Sequence, residues 1–449
     1  MRPLNNPTIL IGAFATSAAA YIGLGYFTER TNFPQLISLV ALLFISYAVI
    51  WKYRSSVKSI YIWLTAAIIL RALFVFNTPN LSDDYPRFIW DGELISNGIS
   101  PFKYTPHQFD SIQPIATIPN QEVLLQAMNS PNYYGIYPPV LQGIFTASSA
   151  ISNGNIYANI IVMKLIMLAS EIVSLLLIFK ILTFLNQPKE RWLLYAFNPL
   201  IIIELVGNLH FEGVLIPFLL GAIYLYLKNK LHLSAISMAL AVCSKLLPLM
   251  FLPFILWRLG LKKGVVYCSI VCSLTILMFI PLIDMELLYN LSQSIDLYFQ
   301  SFEFNAGIYF LARWVGTIVT GYNQIGIIGP LLSIIALSII ILISVKKSTF
   351  SFDITSRFLL MLSVYFLLAT IVHPWYLTGL LALSITTQYR FPILWSALIF
   401  MSYYTYKDTT YTESMWLVAI EYTAVIVYLI YELKTKRGEA LSTSPPSIN

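Results

Sequence analysis

Apolar stretches close to the roughly 20 residues that a helix needs to span a bilayer recur along this chain, from 8–27 through 156–184 and 264–283 to 414–433. Lipid is the solvent that suits so many of them, because a chain crossing hydrocarbon must satisfy its own backbone hydrogen bonds, as helices do. Composition agrees: 58% of the 449 residues are hydrophobic and only 11% charged, which excludes a soluble protein. The expected fold is an all-α polytopic membrane protein. A net charge of +6 does not imply nucleic acid, since the position of each charge matters more than the sum. Cys243, Cys268 and Cys272 lie inside apolar runs and offer neither a disulfide framework nor zinc spacing, so they read as small packing residues.

Positive charge sets the sidedness. Lys52, Arg54 and Lys58 mark the loop between the second and third apolar segments as cytoplasmic, and counting back two crossings puts the N-terminus inside as well. The small-residue run ATSAAA is similar to a signal-peptide cleavage region, but sidedness keeps 8–27 as a span. One crossing forward, over 59–77, places an acidic loop of about 78–138 outside. The stretch 140–151 is too short to cross, 156–184 then crosses inward, and 192–206 returns outward. Basic residues flank both ends of 232–258, which predicts two short helices meeting near Lys245. A second acidic external loop carries Asp284, Glu286, Asp296 and Glu303, followed by a surface or re-entrant segment from Phe304, so that the external stretch covers about 284–324. Later runs alternate so that Lys346, Lys347, Arg390 and the KTKR tail fall inside. The reading is one membrane domain over 1–433 with about fourteen crossings, some of them short. A cytoplasmic tail follows over 434–449.

The most polar stretch is NLSDDYPRFIWDGELISNG, residues 80–98. Ser82 or Asp83 as cap and Pro86 in the first turn predict a helix with Asp84, Arg87 and Asp91 on one face and Tyr85, Phe88, Ile89 and Ile95 beside it. Such a helix would lie on the membrane surface with its charges over water. A second surface helix is expected over 121–128, and the prolines of PNYYGIYPPVLQG exclude a continuous helix through 137–139. Glu204, Asn208 and Glu212 recur every four residues and predict one polar stripe. Buried charge at membrane depth costs on the order of 2.5–3.5 kcal/mol on insertion scales, so Glu204 and Lys245 need partners. His210, His373, Trp375 and Tyr376 close crossings on the same outer side. Each has a plainer alternative: Arg87 neutralising Asp84 or Asp91, and Glu204 or Lys245 pairing across the bundle. Asp, Glu and His together would admit a divalent metal, but no HxxxH or HExxH spacing supports one and no cofactor is expected.

In order along the chain, SDDYPRFIWDGELISNGISPF, YPPVLQ, NPLIIIELVGNLHFEG, SKLLPL, FEFNAGIYF and HPWYL resemble the landmarks of bacterial GT-C glycosyltransferases, above all the polyprenyl-phosphate-mannose-dependent enzymes of family 87 and MptB-like type. Pro86 stands where a less constrained residue is expected, and Glu212 where the family often has Asp. The resemblance implies a GT-C fold in an inner membrane, with an active site facing the periplasm or exterior. It also implies transfer of a hexose, above all mannose, from a polyprenyl-phosphate donor to a glycan, lipid or protein acceptor of the cell envelope.

The residues independently suit that chemistry. Asp83 or Asp84 would be the general base, with Asp83 preferred because it lies at the junction of the third crossing with the loop. Arg87, His210, Lys245 and His373 would meet the lipid phosphate. Asp91, Tyr137, Asn208, Glu212, Trp375 and Tyr376 would contact substrate, and in-line attack would invert the sugar. Two rivals share the polytopic pattern. A secondary transporter should have paired discontinuous helices and no first external loop of this size. A lipid-linked polysaccharide polymerase or ligase would use the same type of donor.

Overall fold

The computed structural model describes residues 5–112, 117–283, 286–287, 289–290, 292, 302–346 and 353–442. Among these the regular structure is helical apart from one isolated backbone bridge between Phe304 and Ile371. The first two helices, α1 (Pro7–Phe27) and α2 (Phe33–Lys52), begin at Asn6 and Asn32, whose side chains accept from the third residue on, with proline in the first turn. α3 (Ile60–Ala72) leads into α4 (Tyr85–Ser96), α5 (Pro106–Ser111), α6 (Gln121–Ala127) and α7 (Pro139–Ser152). α8 (Ile156–Phe184) follows, capped by Asn155.

Between α8 and the next long helix the chain does not form the continuous crossing expected over 192–206. It runs as the short helices α9 (Leu193–Ala196) and α10 (Pro199–Ile201), then a π-helical turn over Ile202–Gly207, and bends by 116° into α11 (Glu212–Leu227). Leu209 sits in the left-handed region at φ 60°, so the stripe expected of Glu204, Asn208 and Glu212 is broken after Asn208. The predicted break near Lys245 is present, between α12 (Leu231–Ser244) and a 3₁₀ turn leading to α13 (Leu252–Phe279). The remaining helices are α14 (Gly307–Thr320), α15 (Ile325–Val345), α16 (Asp353–Leu368), α17 (Leu377–Ile385), α18 (Phe391–Leu398) and α19 (Met415–Ser442). The last continues past 433, where the sequence suggested a tail. Asp284 and Asp296 of the second acidic loop lie outside the described residues.

Six of the described helices are long and apolar enough to cross a membrane, seven if the bent pair counts as one, and five apolar helices have 10–17 residues. Fourteen crossings therefore overcount, because that total needs spans from segments too short to cross alone.

Charged residues buried in the bundle weld α3, α8 and the broken segment together. Arg71 and Glu171 form a fully buried ion pair at 3.1 Å, joined by the Tyr195 hydroxyl at 2.8 Å, while Arg71 also donates to the Ala196 carbonyl. Lys164 donates to Asn77 and to the carbonyls of Phe74 and Gly207. These bonds fix the two chain segments that lead to Asp83 and Asp84 and to His210 and Glu212.

The charged face of α4 is not over water. Residues 86–94 are all buried, and Arg87 bonds Asp91 at 2.7 Å and the carbonyls of Ser130 and Tyr133. The cause is α7, which packs so closely that a Cβ at Gly92 would run into the Phe145 carbonyl.

Candidate active site

The loops around α4 and α7 and several helix ends surround a cavity of about 1040 Å³. Asp83, Asp84 and Arg87 enter it from the start of α4, Tyr137 from the turn before α7, and His210 and Glu212 from the bend before α11. Lys245 enters from the break after α12, and His373, Trp375 and Tyr376 from the turn before α17. Asp91 and Asn208 do not line it. Asp91 is held by Arg87 and by the Gln142 amide at 3.0 Å, and Asn208 donates to Glu204 at 3.2 Å. For Asp91 the plainer reading, neutralisation by Arg87, describes the structure.

The two adjacent carboxylates differ. Ser82 Oγ accepts weakly from the Asp84 N–H at 3.4 Å and neither Asp side chain caps α4, whose first turn begins at Asp84 instead of Asp83. Asp83 is gripped by Arg30, with contacts of 3.2 and 2.9 Å, and by the Asn129 amide at 2.9 Å. Burial raises its proton affinity, but Arg30 and Asn129 outweigh burial and hold it below the usual carboxylate range. Asp84 accepts from the same amide at 2.8 Å and has no guanidinium partner among the contacts described. Burial pushes its carboxyl up, with Asp83 and Glu212 adding to the shift against the pull of His210 and Asn129. Its side chain remains about a quarter exposed, at 24%, with Oδ2 3.8 Å from His210 Nε2.

Lys245 is not unpaired. It bonds Glu212 and lies 3.9 Å above the Tyr376 ring, yet 36% of its side chain is exposed, with Leu246, Leu247 and Met250 beside it on the cavity wall. Glu204 also has its partners: His210 Nδ1 at 3.0 Å and the Tyr403 hydroxyl at 2.8 Å. Trp375 is sandwiched between His210, with ring centres 3.6 Å apart, and His373, at 4.3 Å. Both indole faces are therefore covered by imidazoles. His373 also packs on Phe304, and burial, then the nearby His210 and Lys245, lower its pKa to about 3, so it is neutral near pH 7.

Sequence reasoning missed Arg30, Asn129, Tyr406 and Glu413. Arg30 stacks over Tyr406 at 4.4 Å, and Glu413 accepts from the Asn305 N–H while burial, with Glu303 nearby, raises its pKa to about 7. The signal for Arg30 was the TERTN turn between the first two apolar helices, an even two crossings from Asp83 and so at the same end of the bundle. Among the described residues no three His, Cys, Asp or Glu side chains converge as metal ligands.

Residues 11–260, more than half of the chain, match a family model of the MptA_B family, described as Alpha-(1->6)-mannopyranosyltransferase, N-terminal domain. The matched region contains Asp83, Asp84, His210, Glu212 and Lys245 and ends before the HPWYL turn. Among curated proteins no match was found.

Proposed function

The chain belongs to the MptA_B family of alpha-(1->6)-mannopyranosyltransferases, and from this membership we propose that it moves mannose from a polyprenyl-phosphate donor to an acceptor hydroxyl at the external face of the membrane, with inversion. It is a membrane glycosyltransferase. The observation that carries the finer reading is one cavity in which Asp84, a carboxylate of raised proton affinity, shares its walls with Lys245 and its apolar neighbours.

In this reading the acceptor oxygen attacks the anomeric carbon as its proton passes to Asp84, and the bond from that carbon to the phosphate oxygen breaks with its electron pair going to phosphate. Asp84 suits the base better than Asp83, because the guanidinium on Asp83 stabilises its charged form and makes it a poor proton acceptor. The preference for Asp83 drawn from its position in the sequence is thus reversed. Lys245 supplies positive charge to the leaving phosphate by exchanging part of its bond to Glu212, and Leu246, Leu247 and Met250 would meet the start of the isoprenoid. His373 serves as a neutral hydrogen-bonding group there, since its buried ring carries no charge. Arg87 takes no part in the charge balance of the phosphate because it is already neutralised by Asp91.

Asp84→Asn should lower turnover roughly 10²- to 10⁴-fold with donor binding nearly kept, as for loss of a general base. Single-turnover transfer and donor binding, measured on both Asp84→Asn and Asp83→Asn, test this. Near-full transfer by Asp84→Asn would remove it from the base role.

A further inference from the structure

The deepest polar chain in the cavity runs behind Asp84. His210 Nδ1 faces two acceptors, Glu204 Oε2 at 3.0 Å and the Glu204 carbonyl oxygen at 3.1 Å. A ring nitrogen between two acceptors must carry the proton, so whenever the ring is neutral its hydrogen sits on Nδ1 and the lone pair on Nε2. That Nε2 is buried without a hydrogen-bond partner and points toward Asp84 Oδ2 across 3.8 Å. Two lone-pair atoms facing each other at this distance lack one proton between them. The reaction delivers one: when Asp84 takes the acceptor's hydrogen, a closure of about 1 Å brings the pair to hydrogen-bond distance.

We propose that His210, braced by Glu204, is a proton relay that receives the acceptor hydroxyl's proton from Asp84 and so restores the Asp84 carboxylate; the inference rests on the transferase reading above. The proton moves from the acceptor oxygen to Asp84 Oδ2 and on to His210 Nε2, and leaves the imidazolium for solvent after product departs. No other bond is made or broken in the relay.

The ring is built for this charge. Glu204 compensates the imidazolium through Nδ1, the role an orienting carboxylate plays behind a catalytic histidine. Trp375 stacks on the ring at 11° and attracts a cation through its π face. The other titratable groups nearby are Asp83, Glu212, Arg30, Lys245, Tyr403 and Tyr406 beside Glu204, and His373 beyond Trp375. The negative charges of Asp83 and Glu212 are already paired, with Arg30 and Lys245.

Glu204→Gln and His210→Gln, purified and compared with wild type in transfer from a polyprenyl-phosphate mannose, test the relay. Glu204→Gln removes the negative charge that compensates the imidazolium, while an amide oxygen in place of Oε2 still accepts from Asn208 and from His210 Nδ1. Turnover should fall roughly 10²-fold or more with donor binding unchanged. His210→Gln should lower turnover to a similar extent with donor binding likewise unchanged, and the double variant should lose little more than either single variant, as expected of groups acting in one relay. Should His210→Gln fail to fold, the near-isosteric Glu204→Gln decides alone. Wild-type turnover in folded Glu204→Gln, or fully additive losses in the double variant, overturns the relay while leaving the transferase reading intact. Absence of transfer by wild type from every polyprenyl-phosphate hexose would instead remove the reading on which the relay rests.

Discussion

Lys245 shows what a charged residue in an apolar chain can and cannot reveal. Its need for a partner was legible in the sequence because a cation inside lipid-soluble segments is costly. Its partner was not, because Glu212 lies 33 positions away across a bend that interrupts the helical period. A long separation also hid Arg30, which reaches 53 positions forward to Asp83 and holds that carboxylate in its charged form. Lys245→Met should weaken binding of a polyprenyl-phosphate sugar about 10- to 100-fold, the loss expected for a charge-assisted hydrogen bond of about 1.5–3 kcal/mol. Donor titration of the purified variant, with thermal stability as the folding control, measures this. Unchanged donor affinity in a well-folded variant would return Lys245 to a purely structural pair with Glu212.

At the scale of elements, the sequence revealed helices where an apolar run was long, as over 156–184 for α8, or where Pro86 suited a first turn, as in α4. It did not reveal the broken crossing over 192–207, since LLYAFNPLIIIELVG is apolar apart from Asn198 and Glu204 and Asn198–Pro199 was its local warning of a break. Tertiary bonds dictate that break: Lys164 takes the Gly207 carbonyl, and Arg71 takes that of Ala196. The face of α4 was misjudged for a related reason, because amphipathic spacing cannot distinguish water from a second helix as the partner of a polar stripe. The buried pair behind α3 gives the element-scale prediction. Glu171→Gln leaves Arg71 without its countercharge and should cost about 3–5 kcal/mol of stability, while Arg71→Met with Glu171→Met should cost less than the sum of the single changes. Thermal unfolding of the detergent-solubilised variants checks both, and additive losses would mean that the pair is not coupled.

Across the whole molecule, the family match ends at residue 260, while the cavity also draws its wall from the FEFNA and HPWYL segments beyond it. Those two segments are joined by backbone bonds, Phe304 N–H to the Thr370 carbonyl at 3.0 Å and Val372 N–H to the Phe304 carbonyl at 2.8 Å. The C-terminal half thus presents His373 and Trp375 as one unit against the N-terminal carboxylates. With that arrangement, the central claim is that the sugar arrives on a lipid phosphate, its headgroup at Lys245 and its anomeric carbon within reach of an acceptor hydroxyl held by Asp84. The most direct measurement is transfer by the purified protein from radiolabelled mannose presented either on a polyprenyl phosphate or on a nucleotide, with the same glycan acceptor. Labelled product from the polyprenyl-phosphate sugar alone is the predicted result; product from the nucleotide sugar, with none from the lipid, would contradict the account.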